Sequence, residues 1–445
     1  MPSSLLHRSC AALALPALLL PVLACAQATP NTLTAARRTV VINEAAEVLT
    51  DVYVEADTGR LIGEVLLRRL AEGAYDRLDN PAQFADAVSR DMRSLNNDLH
   101  LGLQYSPPGT AVAAGGGQAN PRARNFGLAK VEILDGNVGY LEITGFMGAE
   151  GYRDAVVDAL RLLSRTDAMI IDVRRNGGGS GEMSHFIFSH FLGPEPVPTI
   201  RIKQRNGEPR VRQSFGEVPG PRRPDVPLLV LTSEGTGSAA EEFSFVLRHL
   251  GRATIVGTRT AGAGHMVTDV PLSDGFTARV SVTRVMAPDT HAEWEGVGVQ
   301  PHIAVEAAAA LDAAHEEALN RIRAASGPTS ALDRVLEVVR ARRSGVQANA
   351  DELAGLAGEY EGRVISQSGG QLWYARRRGA LAEPLVPLGN GRFGLGGTRY
   401  IFSGRDGSAR LTIEQSNGNT VQFQRSPLPD PSPSTNPGLS SPSPS

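Results

Sequence analysis

At 445 residues the chain is too long for one hydrophobic core, so two or three domains are expected. A formal net charge of −3, with 41% hydrophobic and 20% charged residues, describes an ordinary globular protein. It lacks the basic field that nucleic acid or an anionic membrane surface would need, which excludes nucleic-acid binding.

In chain order, residues 1–28 read as a signal peptide. His7 and Arg8 form a short polar opening, residues 11–24 an apolar run too short to span a bilayer, and small residues follow. Cleavage after Ala26-Gln27-Ala28 would release a soluble protein near Thr29, in the periplasm or beyond, and is the favoured reading. Val22-Leu23-Ala24-Cys25 resembles a bacterial lipobox, and the alternative is a membrane tether through lipidated Cys25. Cys10 and Cys25 are the only cysteines, so the body after this segment has no disulfide, thiol nucleophile or thiolate metal ligand.

Residues 29–106 are expected to form a helical domain. Apolar residues recur at helical spacing over 40–53, 61–70 and 84–95, interrupted by glycine and by Asn80-Pro81. The segment ends in Asn97-Asp98-Leu99-His100, ahead of a short alternating strand at 101–105. Residues 107–124, rich in Gly, Ala, Pro and Arg, read as a loop or linker. Over 125–310 strands and helices alternate. Strands are predicted at 138–143, 168–173, 227–232 and 253–257, and helices at 150–164, 181–192 and 238–250. Continuous apolar strands between helices imply an α/β fold with a parallel-rich sheet covered on both faces. Functional residues in such sheets gather at the carboxyl ends of the strands. Two Ala/Arg-rich helices in 306–325 and 330–343 make 311–350 a helical connector. Residues 351–426 form a small β domain, and the Pro/Ser-rich tail 427–445 is expected to be disordered.

Two turns lie at the carboxyl ends of buried strands. Thr236-Gly237-Ser238-Ala239-Ala240-Glu241 opens a helix, where free amides and the helix dipole favour a hydroxyl that develops negative charge. Ser238 with Glu241 is equally a capping box, a common helix start. Asp172-Val173-Arg174-Arg175-Asn176-Gly177-Gly178-Gly179 has the glycines that let backbone amides approach a ligand, or it is a plain loop. A serine nucleophile needs a base. His185, His190 and His249 fall within helices, His315 outside the central region and His291 in a loop. His100 ends a helical segment at an acidic turn. Glu295, in Trp294-Glu295-Gly296-Val297-Gly298-Val299, is a carboxylate among apolar residues that would suit orienting a base. Lys130 and Lys203 are the only lysines, and neither is beside Ser238 in sequence, which argues against a Ser-Lys dyad.

Together these motifs, with Val256-Gly257-Thr258-Arg259-Thr260-Ala261-Gly262, resemble the tail-specific (C-terminal processing) serine peptidase family. The nearer likeness is to its branch similar to interphotoreceptor retinoid-binding protein and the tricorn core protease. The resemblance implies a crotonase-like ββα spiral preceded by a helical domain. It also implies Ser238 as nucleophile, His100 as base, Glu295 as the carboxylate behind it, and the amides of Gly178 or Gly179 and of Ala239 as oxyanion hole. Ala263 stands where the Ser-Lys branch has its lysine. Pro301-His302 replaces the usual Pro-Asp, and no segment resembles the family's PDZ module. The expected function is peptide hydrolysis on a peptide or protein substrate, with no cofactor and no metal implied. The rival readings are a non-catalytic binding module for apolar ligands or peptides on the same fold, and an esterase for small acyl substrates.

Overall fold

The structure is a computed structural model and describes residues 32–107, 121–404 and 408–426. The signal segment, most of the 107–124 loop and the Pro/Ser tail lie outside the described residues.

Local caps set the first helices. α1 (Ala35–Val52) begins after Thr34, whose side chain accepts from the Arg37 N–H. α2 (Ala56–Ala71) follows. α3 (Pro81–Arg93) begins after Asn80, which accepts from Ala82 and Gln83, and Pro81 fills the first helical position. Val41, Ile42 and Leu49 of α1, Ile62 and Leu66 of α2, and Phe84, Val88 and Met92 of α3 form one buried cluster. That cluster is completed by Phe276, Ala278 and Val280, nearly two hundred positions on, so the helices do not close a core by themselves.

After β1 (Gly102–Tyr105) come β2 (Leu128–Leu134), β3 (Val138–Ile143), α4 (Tyr152–Leu162), β4 (Ala168–Asp172) and α5 (Gly181–Ser189). Next are β5 (Pro198–Gln204), β6 (Arg210–Gln213), β7 (Leu228–Thr232), α6 (Ala239–His249) and β8 (Thr254–Gly257). β9 (Met266–Pro271), β10 (Phe276–Met286), β11 (Ile303–Ala304), α7 (Ala310–Ser326) and α8 (Ser330–Ser344) complete the central region. A six-stranded sheet runs β11-β8-β7-β4-β3-β2. All its pairings are parallel except that of β2 with β3. β3, β4 and β7 are buried at every residue, as their unbroken apolar runs require. α4, α5 and α6 contribute to the core on one face, and α7 and α8 to the core on the other. Because each strand adds beside its predecessor, the chain winds stepwise through the sheet, the progression a ββα spiral demands.

Residues 198–213 and 266–286, where the residue pattern predicts no element, form a second sheet. Its order is β1-β10-β5-β6, with β9 also paired to β10, and every pairing is antiparallel. Along β10, half-buried Thr277, Arg279, Val282 and Arg284 are interspersed with buried residues. The alternation slips at Ser281, where the register with β9 also shifts. Phe276, Ala278 and Val280, on the buried side, face the α1–α3 cluster.

The C-terminal region opens with α9 (Ala350–Leu356) and continues as an eight-stranded antiparallel meander from β12 (Gly358–Tyr360) to β19 (Thr420–Gln424). A bridge between Tyr360 and Arg425, and a 2.7 Å bond from the Ser426 N–H to the Glu359 carbonyl, bring the last strand back to the first. The expected small β domain is therefore a closed up-and-down barrel. Tyr360, Leu372, Leu385, Phe393, Leu411 and Phe423 fill its interior. The α/β class, with helices ahead of the central sheet and a β-rich region behind it, agrees with expectation from the sequence.

Candidate active site

Ser238 sits between β7 and α6 with φ 50° and ψ −121°, a conformation that L-residues avoid unless their surroundings impose it. Here the surroundings do. The Thr236 hydroxyl donates to the Val173 carbonyl at 2.9 Å, and the Gly237 N–H donates to the Asn176 carbonyl at 3.0 Å. The Ser238 N–H donates to Glu241 Oε2 at 2.9 Å. The same carboxylate accepts from the Thr260 hydroxyl at 2.5 Å, the Gly262 N–H at 2.6 Å and the Ala263 N–H at 2.8 Å. Burial pushes the Glu241 carboxyl up despite these four donors. Glu241 thus caps the helix, as the S-x-x-E pattern suggests, and also ties the Ser238 turn to the 260–263 loop.

Gly178 and Gly179 have φ values of 112° and 123°. A Cβ on Gly178 would lie 2.8 Å from the Ser238 Cβ and 3.1 Å from the Ala239 nitrogen. One on Gly179 would lie 2.1 Å from the Phe146 carbonyl oxygen. Only glycine allows this close approach. One expected oxyanion donor needs correction. The Gly178 N–H already donates to Asn176 Oδ1 at 2.9 Å, so it is not free for a ligand. Asn-x-Gly is the pattern of an Asx turn, and that signal was present in the sequence. The N–H groups of Gly179 and Ala239 have no acceptor among the described residues. Asp172, in the same motif, is structural. It accepts from the Tyr140 hydroxyl at 2.7 Å and pairs with Arg174.

Glu295, its side chain only 10% exposed, binds the loop that Glu241 grips, one amide further along. Glu241 accepts from the Ala263 N–H, and Glu295 Oε2 accepts from the next one, Gly264, at 2.6 Å, and from His265 at 2.9 Å. Successive amides bind these two carboxylates, which makes the Ser238 turn and the Glu295 cluster close neighbours. His100 Nδ1 lies 3.9 Å from Glu295 Oε2 and 3.9 Å from Asp98 Oδ1. Those separations exceed a hydrogen bond. The His100 Nδ1 and Glu295 Oε1 atoms are both buried without a hydrogen-bond partner.

His265, absent from the sequence candidates, occupies the nearer position. Its Nδ1 is 3.1 Å from Asp98 Oδ2 and 3.8 Å from Glu295 Oε2. Tyr53 donates its hydroxyl to Asp98 Oδ2 at 3.0 Å and is itself held by Asn96. The signal for His265 was its place immediately after the Gly-rich loop that carries a lysine in the Ser-Lys branch. What brings it to Asp98 is strand pairing. β1 and β9 both pair with β10, and both begin near its Arg279–Thr283 stretch.

The electrostatics separate the two histidines. Burial lowers His100, and the charges of His265, Arg279 and Arg93 add to this against the pull of Asp98. His100 is therefore neutral at physiological pH and able to accept a proton. Burial also opposes charge on His265, but the Asp98 hydrogen bond and the charges of Glu295 and Asp98 prevail and raise it. Burial alone would raise Asp98; the His265 bond and charge and further hydrogen bonds hold it down at about 2. Glu295 is pushed up to about 7, chiefly by burial. The ligand atoms of Asp98, His265 and Glu295 lie within 4.8 Å of one another, so a divalent ion could be held there. The same carboxylates favour the charged form of His265.

The remaining candidates lie elsewhere. His185 and His190 are packed in the core, bound to the carbonyls of Gln213 and Pro221. Lys203 pairs with Glu55, and Lys130 with Glu132 on the surface.

Residues 137–305 match the family model described as Peptidase family S41. The chain is 29% identical over 173 residues to the carboxy-terminal processing protease CtpB of Bacillus subtilis (strain 168), covering 38% of this chain and 34% of that protein. It is 32% identical over 172 residues to the carboxyl-terminal-processing protease of Synechocystis sp., covering 38% of each chain. The chain thus spans about a third of the length of the curated relatives it matches. Among solved structures, the photosystem II D1 C-terminal processing protease superposes with a TM-score of 0.41 at 19% identity, covering 61% of this chain and 93% of that one. The tricorn protease gives 0.40 at 16% identity, over 64% and 37%. The family match and the sequence relatives support, over the central sheet, the resemblance read from the motifs.

Proposed function

We propose that this protein is an exported serine peptidase that hydrolyses peptide bonds by acyl transfer. The observation that carries the reading is Ser238 itself, held in a strained strand-to-helix turn beside two unengaged amides, those of Gly179 and Ala239. In this mechanism His100 removes the Ser238 proton as the hydroxyl attacks the scissile carbonyl. Glu295 stabilises the resulting imidazolium, and the Gly179 and Ala239 amides receive the oxyanion. His100 later returns the proton to the leaving amine, and water then repeats the sequence on the acyl-enzyme. The 3.9 Å gap between His100 and Glu295 is of the kind that tightens when substrate binds. Each oxyanion donor contributes on the order of 3 kcal/mol of barrier reduction in such sites. Export follows from the reading of residues 1–28 as a signal peptide, with release favoured over a lipid anchor at Cys25.

A fluorophosphonate probe tests the proposal. Covalent labelling of the wild type that disappears in Ser238→Ala and His100→Ala supports it, and peptide mapping should place the adduct on Ser238. A folded wild type that takes no label refutes it.

A further inference from the structure

A cavity of about 380 Å³ opens beside His100, between α3 and β1. Its lining includes Arg90, Arg93 and Arg279 but only one carboxylate, Asp86. The three guanidinium groups differ in how far they are already engaged. Arg279 makes a two-pronged pair with Asp269 at 2.8 and 3.0 Å. Arg93 donates Nε to the Leu101 carbonyl at 2.6 Å. That leaves its two terminal nitrogens, one of which lies 3.3 Å from where a Cβ on Gly102 would stand. Glycine at 102 keeps this space open. Arg90 has no hydrogen bond or ion pair among the described residues, and it is exposed. Ser89 is already committed, because its hydroxyl bonds the Ala85 and Leu103 carbonyls and the Leu103 N–H.

A cationic cavity of this kind selects an anion, and planar guanidinium groups suit a carboxylate in particular. The positive field reaches the base as well, since Arg279 and Arg93 both lower His100. We propose that the cavity is a subsite for a carboxylate of the peptide substrate, gripped by Arg90 and Arg93 beside His100. The carboxylate is either an acidic side chain or the free chain terminus. The proposal rests on the peptidase reading, but its test does not require turnover.

The experiment uses Ser238→Ala protein and three peptides, with binding measured by calorimetry. They are Ac-Ala-Ala-Ala-Ala-NH2, Ac-Ala-Ala-Ala-Glu-NH2 and Ac-Ala-Ala-Ala-Ala with a free carboxyl end. At least one carboxylate peptide is expected to bind about tenfold more tightly than the neutral one, the scale of one charge-assisted contact, and whichever does so identifies the source. Arg90→Gln, at an exposed position, should remove that preference, bringing the carboxylate peptide down to the affinity of the neutral one for the same variant. Bound carboxylate should also raise the His100 titration midpoint, read from its imidazole proton resonances. Equal affinity for all three peptides, or a preference that survives both Arg90→Gln and Arg93→Gln, overturns the subsite. Failure of the peptidase reading would show itself separately, as absence of fluorophosphonate labelling in the wild type.

Discussion

Replacing Glu295 by glutamine should trade activity for stability, with a pH dependence set by its burial. The Glu295 carboxyl is pushed from an ordinary 4.5 up to about 7. The folded state therefore favours the protonated form, and the stability linked to this group is fully present below pH 4.5. It is lost as pH rises through 7. At 1.36 kcal/mol per unit, the loss comes to about 3 kcal/mol by pH 8. Glutamine keeps one carbonyl oxygen for the Gly264 and His265 amides, so most of their contact survives. The attraction of His265 is already part of that raised value, so the gain on removing the charge at pH 8 stays at about 3 kcal/mol. Urea midpoints of wild type and Glu295→Gln at pH 5 and pH 8, followed by a probe of the central sheet, measure the effect. The variant should match or fall below the wild type at pH 5 and exceed it at pH 8, while its fluorophosphonate labelling collapses. A difference between the two proteins that is the same at both pH values would refute the reasoning.

Three further outcomes are expected. If ionised Glu295 supports the base, the labelling rate of the wild type should rise with pH through an apparent midpoint near 7, and His265→Asn should move that midpoint upward by removing a neighbouring positive charge. Asp98 is held at about 2 against an ordinary 3.8, so it contributes stability above pH 3.8 that disappears as pH falls through 2. Asp98→Asn should lower stability at pH 7 by about 2 kcal/mol, measured by the same urea series. Gly179→Ala would force a Cβ to 2.1 Å from the Phe146 carbonyl oxygen, at a backbone angle suited only to glycine. Thermal melts should show a loss of more than about 3 kcal/mol or no cooperative transition, the scale of severe core strain.

Local physics in the sequence was enough to locate the elements that carry Ser238. The unbroken apolar runs at 168–172 and 228–232 read as buried strands, Asn80-Pro81 marked a break between helices, and Ser238 with Glu241 marked a helix start. The Asx turn at Asn176 was equally local, since its bond spans two residues. The lysine count argued against a Ser-Lys dyad before any fold was known.

Only the tertiary structure decided what surrounds the base. Asp98 and His265 are 167 positions apart in sequence, yet their side chains meet at 3.1 Å because β1 and β9 begin at nearby levels of β10. Strand pairing over such distances depends on the whole sheet, and no local pattern of residue types encodes which histidine it delivers. The same holds for electrostatics. Glu295 is an ordinary acidic loop residue in the sequence, and it titrates near 7 only because folding removes it from water.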